Sequence, residues 1–146
     1  MGSSTTRAAT PADAAAISSL LFEFNREALS PEDLGRRMEQ AQGLETIFLG
    51  ELDGVLAGLL VLRTAPTVAS AQDWAEITEL YVQPASRRRG VGRALVDAAL
   101  AHARHRGCTE VHLLVDPQNT PALSFYQAVG FHRDSWEMVH KLQGRG

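Results

Sequence analysis

A basic, glycine-containing loop separates a strand-like segment from a helix-like segment in the middle of the chain. The apolar run ends at Val82, Pro84 follows, and Arg87-Arg88-Arg89-Gly90-Val91-Gly92-Arg93 leads directly into helical periodicity. A helix N-terminus offers unpaired backbone N–H groups and a partial positive charge, and glycine lets the backbone approach a ligand closely. This order of strand, loop and helix predicts a pyrophosphate-binding site, to which the arginines add charge-assisted donors.

The length and charge of the chain narrow the class of protein. The 146 residues fit a single domain over residues 1–146. The net charge of −3 argues against general nucleic-acid binding. Cys108 is the only cysteine, so an intrachain disulfide is impossible and a reducing, cytoplasmic location is expected. No apolar run reaches the ~18 residues of a membrane span. The first six residues match the short myristoylation pattern, which many chains match by chance.

Capping and turn signals divide the chain into alternating elements. Helices are predicted after Thr10-Pro11, after Ser30-Pro31, over 91–106, and after Thr120-Pro121 over 121–129. Asp53-Gly54 indicates a two-residue hairpin turn. Strands are predicted over 6–9, 46–52, 55–62, 74–82, 110–115 and 136–142, with a loop of small residues over 64–73. The antiparallel hairpins followed by a βαβα crossover predict an α/β (α+β) fold with a mixed sheet.

Two motifs carry a family resemblance. The first is Leu80-Tyr81-Val82 followed by Arg87-x-x-Gly90-x-Gly92, and the second is Asn119-x-x-Ala122-x-x-Phe125-Tyr126-x-x-x-Gly130-Phe131. With these motifs and this element order, the chain resembles the GNAT-type N-acetyltransferases over nearly its whole length. The resemblance implies a GNAT-like acyl-CoA N-acyltransferase fold, in which a mixed, mostly antiparallel sheet carries helices on both faces.

The resemblance also implies acetyl-CoA as donor and an acetyl group passed directly to an amine in a ternary complex. The backbone of Leu80, Tyr81 and Val82 would pair with the pantetheine arm, in a gap where the fourth and fifth strands splay apart. Asn119 would hold the pantetheine, and Tyr126 would lie near the sulfur. The loop amides that would wrap the pyrophosphate are those of Arg88, Arg89, Gly90, Val91, Gly92 and Arg93, with Arg87 adding a charged donor.

The chemistry requires a proton acceptor and a proton donor. An amine attacks a thioester only as the neutral base, and the departing thiolate gains from a donor such as the Tyr126 hydroxyl. A backbone amide of the fourth strand could serve the oxyanion. Some family members carry the base at the position of Leu114, so Glu76 and Glu79 are the candidates here. A regular strand would place these two glutamates on opposite faces, but the family usually has a bulge in this strand, and we favour Glu79 slightly.

Other functions remain open on the sequence alone. The chain could be a non-catalytic acyl-CoA-binding sensor or regulatory module, or a nucleotide- or nucleic-acid-binding domain that uses Arg87–Arg89. The Rossmann fingerprint is incomplete because Leu95 stands at the third glycine position, and no residue spacing indicates a metal site. A homodimer is possible. A cationic acceptor such as a polyamine, an aminoglycoside or a peptide amine would suit the acids expected on the acceptor side, which are Glu23, Glu27, Asp73, Asp134 and Glu137.

Overall fold

The computed structural model describes residues 3–143. The chain divides into two compact units, Met1–Leu113 and Leu114–Gly146, and each is described by itself. The start of the myristoylation pattern, Met1-Gly2, lies outside the described residues.

The first unit contains a mixed sheet, as predicted, but among the described residues the sheet has five strands where six were predicted. Strands β1 to β4 pair as antiparallel neighbours in the order of the sequence, and β5 joins β4 in parallel. The helices of this unit are α1 (Ala14–Asn25), α2 (Pro31–Gln40) and α3 (Val91–His105). The strands are β1 (Ser4–Ala8), β2 (Glu45–Leu52), β3 (Val55–Ala65), β4 (Trp74–Val82) and β5 (His112–Leu113). Compared with the prediction, β3 continues three residues further and β5 is only two residues long.

The turn between β2 and β3 has the geometry that its sequence predicts. Asp53 and Gly54 have φ angles of 53° and 80°. Positive φ at both central residues is the requirement of a type I′ turn, whose twist matches that of the flanking strands.

Helices cover both faces of the sheet in this unit. On one face, Ile17 and Leu20 of α1 form a buried cluster with Leu49, Leu59 and Val61, which Leu34 of α2 and Tyr81 of β4 join. On the other face, α3 lies against β2 so closely that a Cβ atom at Gly50 would be 2.7 Å from Val91 Cγ1. Glycine at position 50 therefore sets how near the start of α3 lies to the sheet.

Polar contacts define the starts of α1 and α2. Pro11–Asp13 forms a 3₁₀ turn before α1, and the Asp13 carboxylate accepts a hydrogen bond from the Thr10 N–H. Arg7 of β1 donates two hydrogen bonds to the same carboxylate, at 2.8 and 2.9 Å, which lowers the pKa of Asp13 to about 2. The Ser30 hydroxyl accepts from the Asp33 N–H and caps α2 as predicted.

Two predictions for the second unit are wrong. Its helix, α4 (Thr120–Ala128), is capped by Asn119, whose side-chain oxygen accepts from the Ala122 N–H, whereas Thr120 was the expected cap. No strand forms over 136–142, and residues 131–143 contain no helix or strand. The large apolar side chains in this segment are exposed: Trp136, Met138 and Leu142 have between 87% and 93% of their surface accessible.

Candidate active site

The loop before α3 presents a run of unpaired backbone donors. Pro84–Ser86 forms a 3₁₀ turn, after which Arg88 and Gly90 adopt positive φ angles of 64° and 86°. Within residues 3–143, no backbone or side-chain acceptor pairs with the N–H groups of residues 88–93. Six consecutive donors at a helix N-terminus can bind an anion with several oxygens, because the helix dipole adds positive potential there.

Beside this loop, β4 has an edge that no strand of residues 3–143 covers. Pairing between β4 and β5 covers only Glu76 with His112 and Ile77 with Leu113. The Gln83 N–H donates to Ala57 O of β3, so the trans peptide before it directs the Val82 carbonyl away from β3. Strand periodicity then directs the polar backbone groups of Leu80 toward the same open edge. An extended molecule could therefore add here as a further strand.

Arg87 lies against this edge. Its Nε donates a hydrogen bond of 2.9 Å to the Val82 carbonyl, and its guanidinium carbon lies 5.9 Å from the centre of the Tyr81 ring. This hydrogen bond was not predicted, because Arg87 was expected to bind the pyrophosphate.

A bulge in β4 changes which side chains share a face. Val61 of β3 pairs with Glu79, but the next residue, Leu62, pairs with Ile77, so Thr78 is an extra residue on β4. Glu76 pairs with Arg63, two residues from Val61 on β3, and residues two apart on a strand share a face. Glu76 and Glu79 therefore lie on one face, which is also the face that packs against α1.

The two glutamates differ in environment. Burial raises the pKa of the Glu79 carboxyl above its usual range, and the negative charges of Glu45 and Glu27 raise it further. Glu76 instead accepts a hydrogen bond of 3.2 Å from Trp74 Nε1, and the Trp74 ring stacks on His112 with 4.1 Å between ring centres. A carboxylate with a raised pKa is the better proton acceptor near neutral pH, which favours Glu79 as a base.

Two hydrogen bonds that join Glu23 of α1 to Tyr81 of β4 and to Gln83, here called the clamp, were not predicted. The Tyr81 hydroxyl donates to Glu23 Oε1 at 2.8 Å, and Gln83 Nε2 donates to Glu23 Oε2 at 3.2 Å. Phe24 stacks on the Tyr81 ring at 5.0 Å. Burial, together with the bond to Glu23, raises the pKa of Tyr81. No local pattern indicates this clamp, because it joins residues 58 and 60 positions apart.

Several expected acceptor-side acids are already engaged. Glu23 is held by the clamp, and Asp73 forms an ion pair with Arg106 at 3.4 Å. Glu27 acts on Glu79 through its charge. Asp134 and Glu137 lie in the second unit, in the segment without regular structure.

In the second unit, the two expected site residues lie on and beside α4. Asn119 uses its side-chain oxygen to cap the helix. The Tyr126 ring packs edge to face against Phe125 and Phe131, at 5.4 and 5.8 Å between ring centres. Leu114, at the position where some family members carry the base, is 65% exposed and has no proton to exchange.

The described residues contain neither a metal-binding cluster nor a membrane-spanning helix. Within 3–143, no group of three or more His, Cys, Asp or Glu side chains is arranged to hold a metal ion. No helix in that range has the length and apolar character needed to cross a bilayer.

Comparisons with known proteins agree with this architecture. The model of the acetyltransferase (GNAT) family matches residues 14–131. A mycothiol acetyltransferase of Thermobispora bispora is 36% identical over 114 residues, which cover 75% of this chain and 38% of that protein. A mycothiol acetyltransferase of Acidothermus cellulolyticus is 33% identical over 124 residues, covering 77% of this chain and 38% of that protein. This chain thus spans well under half the length of these relatives.

Solved structures show the same fold. A putative acetyltransferase from Agrobacterium tumefaciens superposes with a TM-score of 0.84 at 26% identity, over 94% of this chain and 99% of that one. An aminoglycoside N-acetyltransferase in complex with CoA superposes with a TM-score of 0.83 at 18% identity, over 98% of this chain and 97% of that one.

Proposed function

The chain belongs to the GNAT family of acetyltransferases, and on that basis we propose that it transfers the acetyl group of acetyl-CoA to a primary amine of a small molecule. The observation that carries this proposal is the run of unpaired N–H groups over residues 88–93, next to the open edge of β4. These features fit two neighbouring parts of acetyl-CoA. The backbone amides suit its pyrophosphate, and the strand edge suits the amide groups of its pantetheine arm.

The donor supplies an activated acetyl group, and the residues of the chain supply its placement and the proton transfers. Leu80 and Val82 bind the pantetheine, and the loop binds the pyrophosphate. Asn119 contributes the nitrogen of its side-chain amide, since the oxygen is used to cap α4. A β4 backbone amide donates to the oxyanion that forms as the amine attacks.

Glu79 takes the proton from the attacking amine, directly or through a water. Its raised pKa supports this role, because a base works best when its pKa lies near the working pH. The Tyr126 hydroxyl protonates the departing thiolate, as the family resemblance implies. Glu76 is the alternative base.

The names of the relatives indicate the class of acceptor. They are mycothiol and aminoglycoside acetyltransferases, and we propose a small, hydrophilic amine as the acceptor of this chain. Glu79 and Glu27, whose charge acts on it, favour a cationic acceptor, whereas the Glu45 carboxylate is already paired with Arg63 at 3.0 Å.

The test is release of the CoA thiol from acetyl-CoA in the presence of a panel of amines, including aminoglycosides, other amino sugars, polyamines and peptides. Release that depends on one class of small amine is expected. Tight binding of acetyl-CoA without amine-dependent release would instead indicate a non-catalytic acyl-CoA-binding module. Failure to bind either CoA species would contradict the proposal.

A further inference from the structure

We propose that Arg87 is a positioning residue that prepares the edge of β4 for the pantetheine arm, and that its side chain does not act as a ligand of the pyrophosphate. This inference rests on the proposed function. It concerns a residue whose charge and place in the loop would otherwise mark it as a phosphate contact.

The hydrogen bond from Arg87 fixes one polar group of the open edge. The Val82 carbonyl points away from β3, because the Gln83 N–H on the same peptide bonds to Ala57. Arg87 Nε donates to this carbonyl at 2.9 Å. Among the described residues, no other donor forms a hydrogen bond with this carbonyl. The remaining polar groups at the edge are the N–H of Val82 and both backbone groups of Leu80.

This occupation limits how an extended molecule can pair with β4. A chain that added at the edge would compete with Arg87 for the Val82 carbonyl unless it paired with the remaining groups. The bond also joins the end of β4 to the first residue of the phosphate-binding loop. Arg87 therefore fixes the register of the pantetheine on the strand and the position of the strand relative to the loop.

The other contacts of Arg87 hold it in this position. Its guanidinium lies beside the Tyr81 ring, and the Tyr81 hydroxyl is held by Glu23 of α1. By contrast, the side chains of Arg88, Arg89 and Arg93 have no hydrogen bond or ion pair with any residue in 3–143. Those three arginines, whose guanidinium groups are uncommitted, are the ones available to reach a phosphate.

The test compares two ligands that share the pantetheine arm but differ in the pyrophosphate. Dissociation constants are measured by calorimetry for CoA and for pantetheine, and kcat/KM for acetyl-CoA and for acetyl-pantetheine. Arg87→Ala is expected to weaken binding of both ligands by a similar factor of up to about ten, because the strand edge and the loop that this bond held in place must then be ordered on binding. Arg88→Ala is expected to weaken CoA several-fold more than pantetheine. Arg104→Ala, an exposed residue of α3 outside the site, is expected to leave both unchanged.

A second variant separates hydrogen bonding from charge. Arg87→Gln removes the charge but places an N–H donor at the same position along the side chain as Nε. It is expected to bind pantetheine within about twofold of the wild type, with the ligand-free melting temperature confirming that each variant folds. The inference is overturned if Arg87→Ala weakens CoA alone, or if glutamine is as poor as alanine. A wild type that binds neither CoA nor pantetheine would instead remove the proposed function itself.

Discussion

Glu76 and Glu79 lie on the same face of the sheet, although an odd number of positions separates them, because Thr78 is an extra residue in β4. The bulge therefore brings both candidate bases to the side on which α1 packs. Their surroundings then distinguish them: burial and nearby carboxylates raise the pKa of Glu79, whereas Glu76 is hydrogen-bonded to Trp74.

Replacing Glu79 tests the base. Glu79→Gln is expected to lower kcat by about 10²–10⁴, because general-base catalysis contributes that much. Wild-type kcat should fall as the pH drops through the raised pKa of Glu79, since the base is then protonated, and this limb should disappear in the variant. Glu76→Gln is the matched control and should keep most of kcat. Full activity and an unchanged pH profile in Glu79→Gln would exclude Glu79 as the base.

Replacing Tyr126 tests the proton donor to the thiolate. Tyr126→Phe keeps the ring contacts with Phe125 and Phe131, and its melting temperature and CoA dissociation constant show whether a change in kcat comes from the lost proton donor alone. We expect kcat to fall by about 10² or more. Tyr81→Phe removes the hydroxyl of the chain's other tyrosine and should mainly lower the melting temperature, because its bond to Glu23 is lost. Equal losses of kcat in both variants would argue against a specific role for Tyr126.

Replacement by alanine is expected to change the stability of the fold in opposite directions at Gly50, which lies under α3, and at Gly35 of α2. A Cβ at Gly50 would lie 2.7 Å from Val91 Cγ1 and 3.2 Å from Leu95 Cγ, so Gly50→Ala should cost about 1–3 kcal/mol of unfolding free energy. At Gly35, in α2, the nearest atom would be at 4.0 Å, and Gly35→Ala should stabilise the helix by about 0.5–1 kcal/mol. Denaturant unfolding measures both. A Gly50→Ala variant as stable as the wild type would show that α3 can shift without cost.

The buried environment of His102 predicts that the fold loses stability in mild acid. Its Nε2 is buried without a hydrogen-bond partner in the described chain, and its ring packs against Phe48. Burial lowers its pKa below the usual 6.5, and the charges of Arg106 and His105 lower it further. Below about pH 6.5 the unfolded chain therefore takes up a proton that the folded chain resists, so the unfolding free energy falls as the pH falls.

The measurement is the unfolding free energy at about pH 7 and about pH 5.5. His102→Phe, which keeps an aromatic ring against Phe48, should show a smaller fall than the wild type. His132→Gln, at an exposed position outside this helix, should behave as the wild type does. An identical acid dependence in all three proteins would contradict this account of His102.

Local patterns predicted most of the elements because their signals are local. Asp53-Gly54 forms the expected turn, and the cap at Ser30 forms as expected. The same reasoning erred where structure depends on distant partners. The segment over 136–142 was predicted as a strand from its own residues, but a strand also requires a neighbouring strand, and no strand of the described residues pairs with it.

The candidate site likewise has one part that local sequence predicts and other parts that depend on contacts between distant residues. The loop that leads into α3 over residues 88–93 could be predicted as a segment, because its glycines and the helix start are visible in the sequence. The bulge at Thr78 and the clamp formed by Glu23 could not, since strand register and contacts between distant residues are set by tertiary packing. The start of α4 was predicted one residue late, because Thr120-Pro121 repeats the cap-and-proline pattern of Ser30-Pro31, whereas Asn119 is the cap.

The most direct test of the central claim is a thermal-shift titration with acetyl-CoA, CoA and ATP, on the wild type and on Gly90→Glu. Gly90 has a φ of 86°, so glutamate there strains the loop and adds a negative charge where the pyrophosphate would bind. At about 100 times its Kd, a ligand should stabilise the fold by about 2.7 kcal/mol, a rise of several degrees. We predict this rise with both CoA species, a smaller one with ATP, and none in Gly90→Glu. A wild type that melts cooperatively and shows no shift with either CoA species would contradict the claim that this loop binds the acetyl donor.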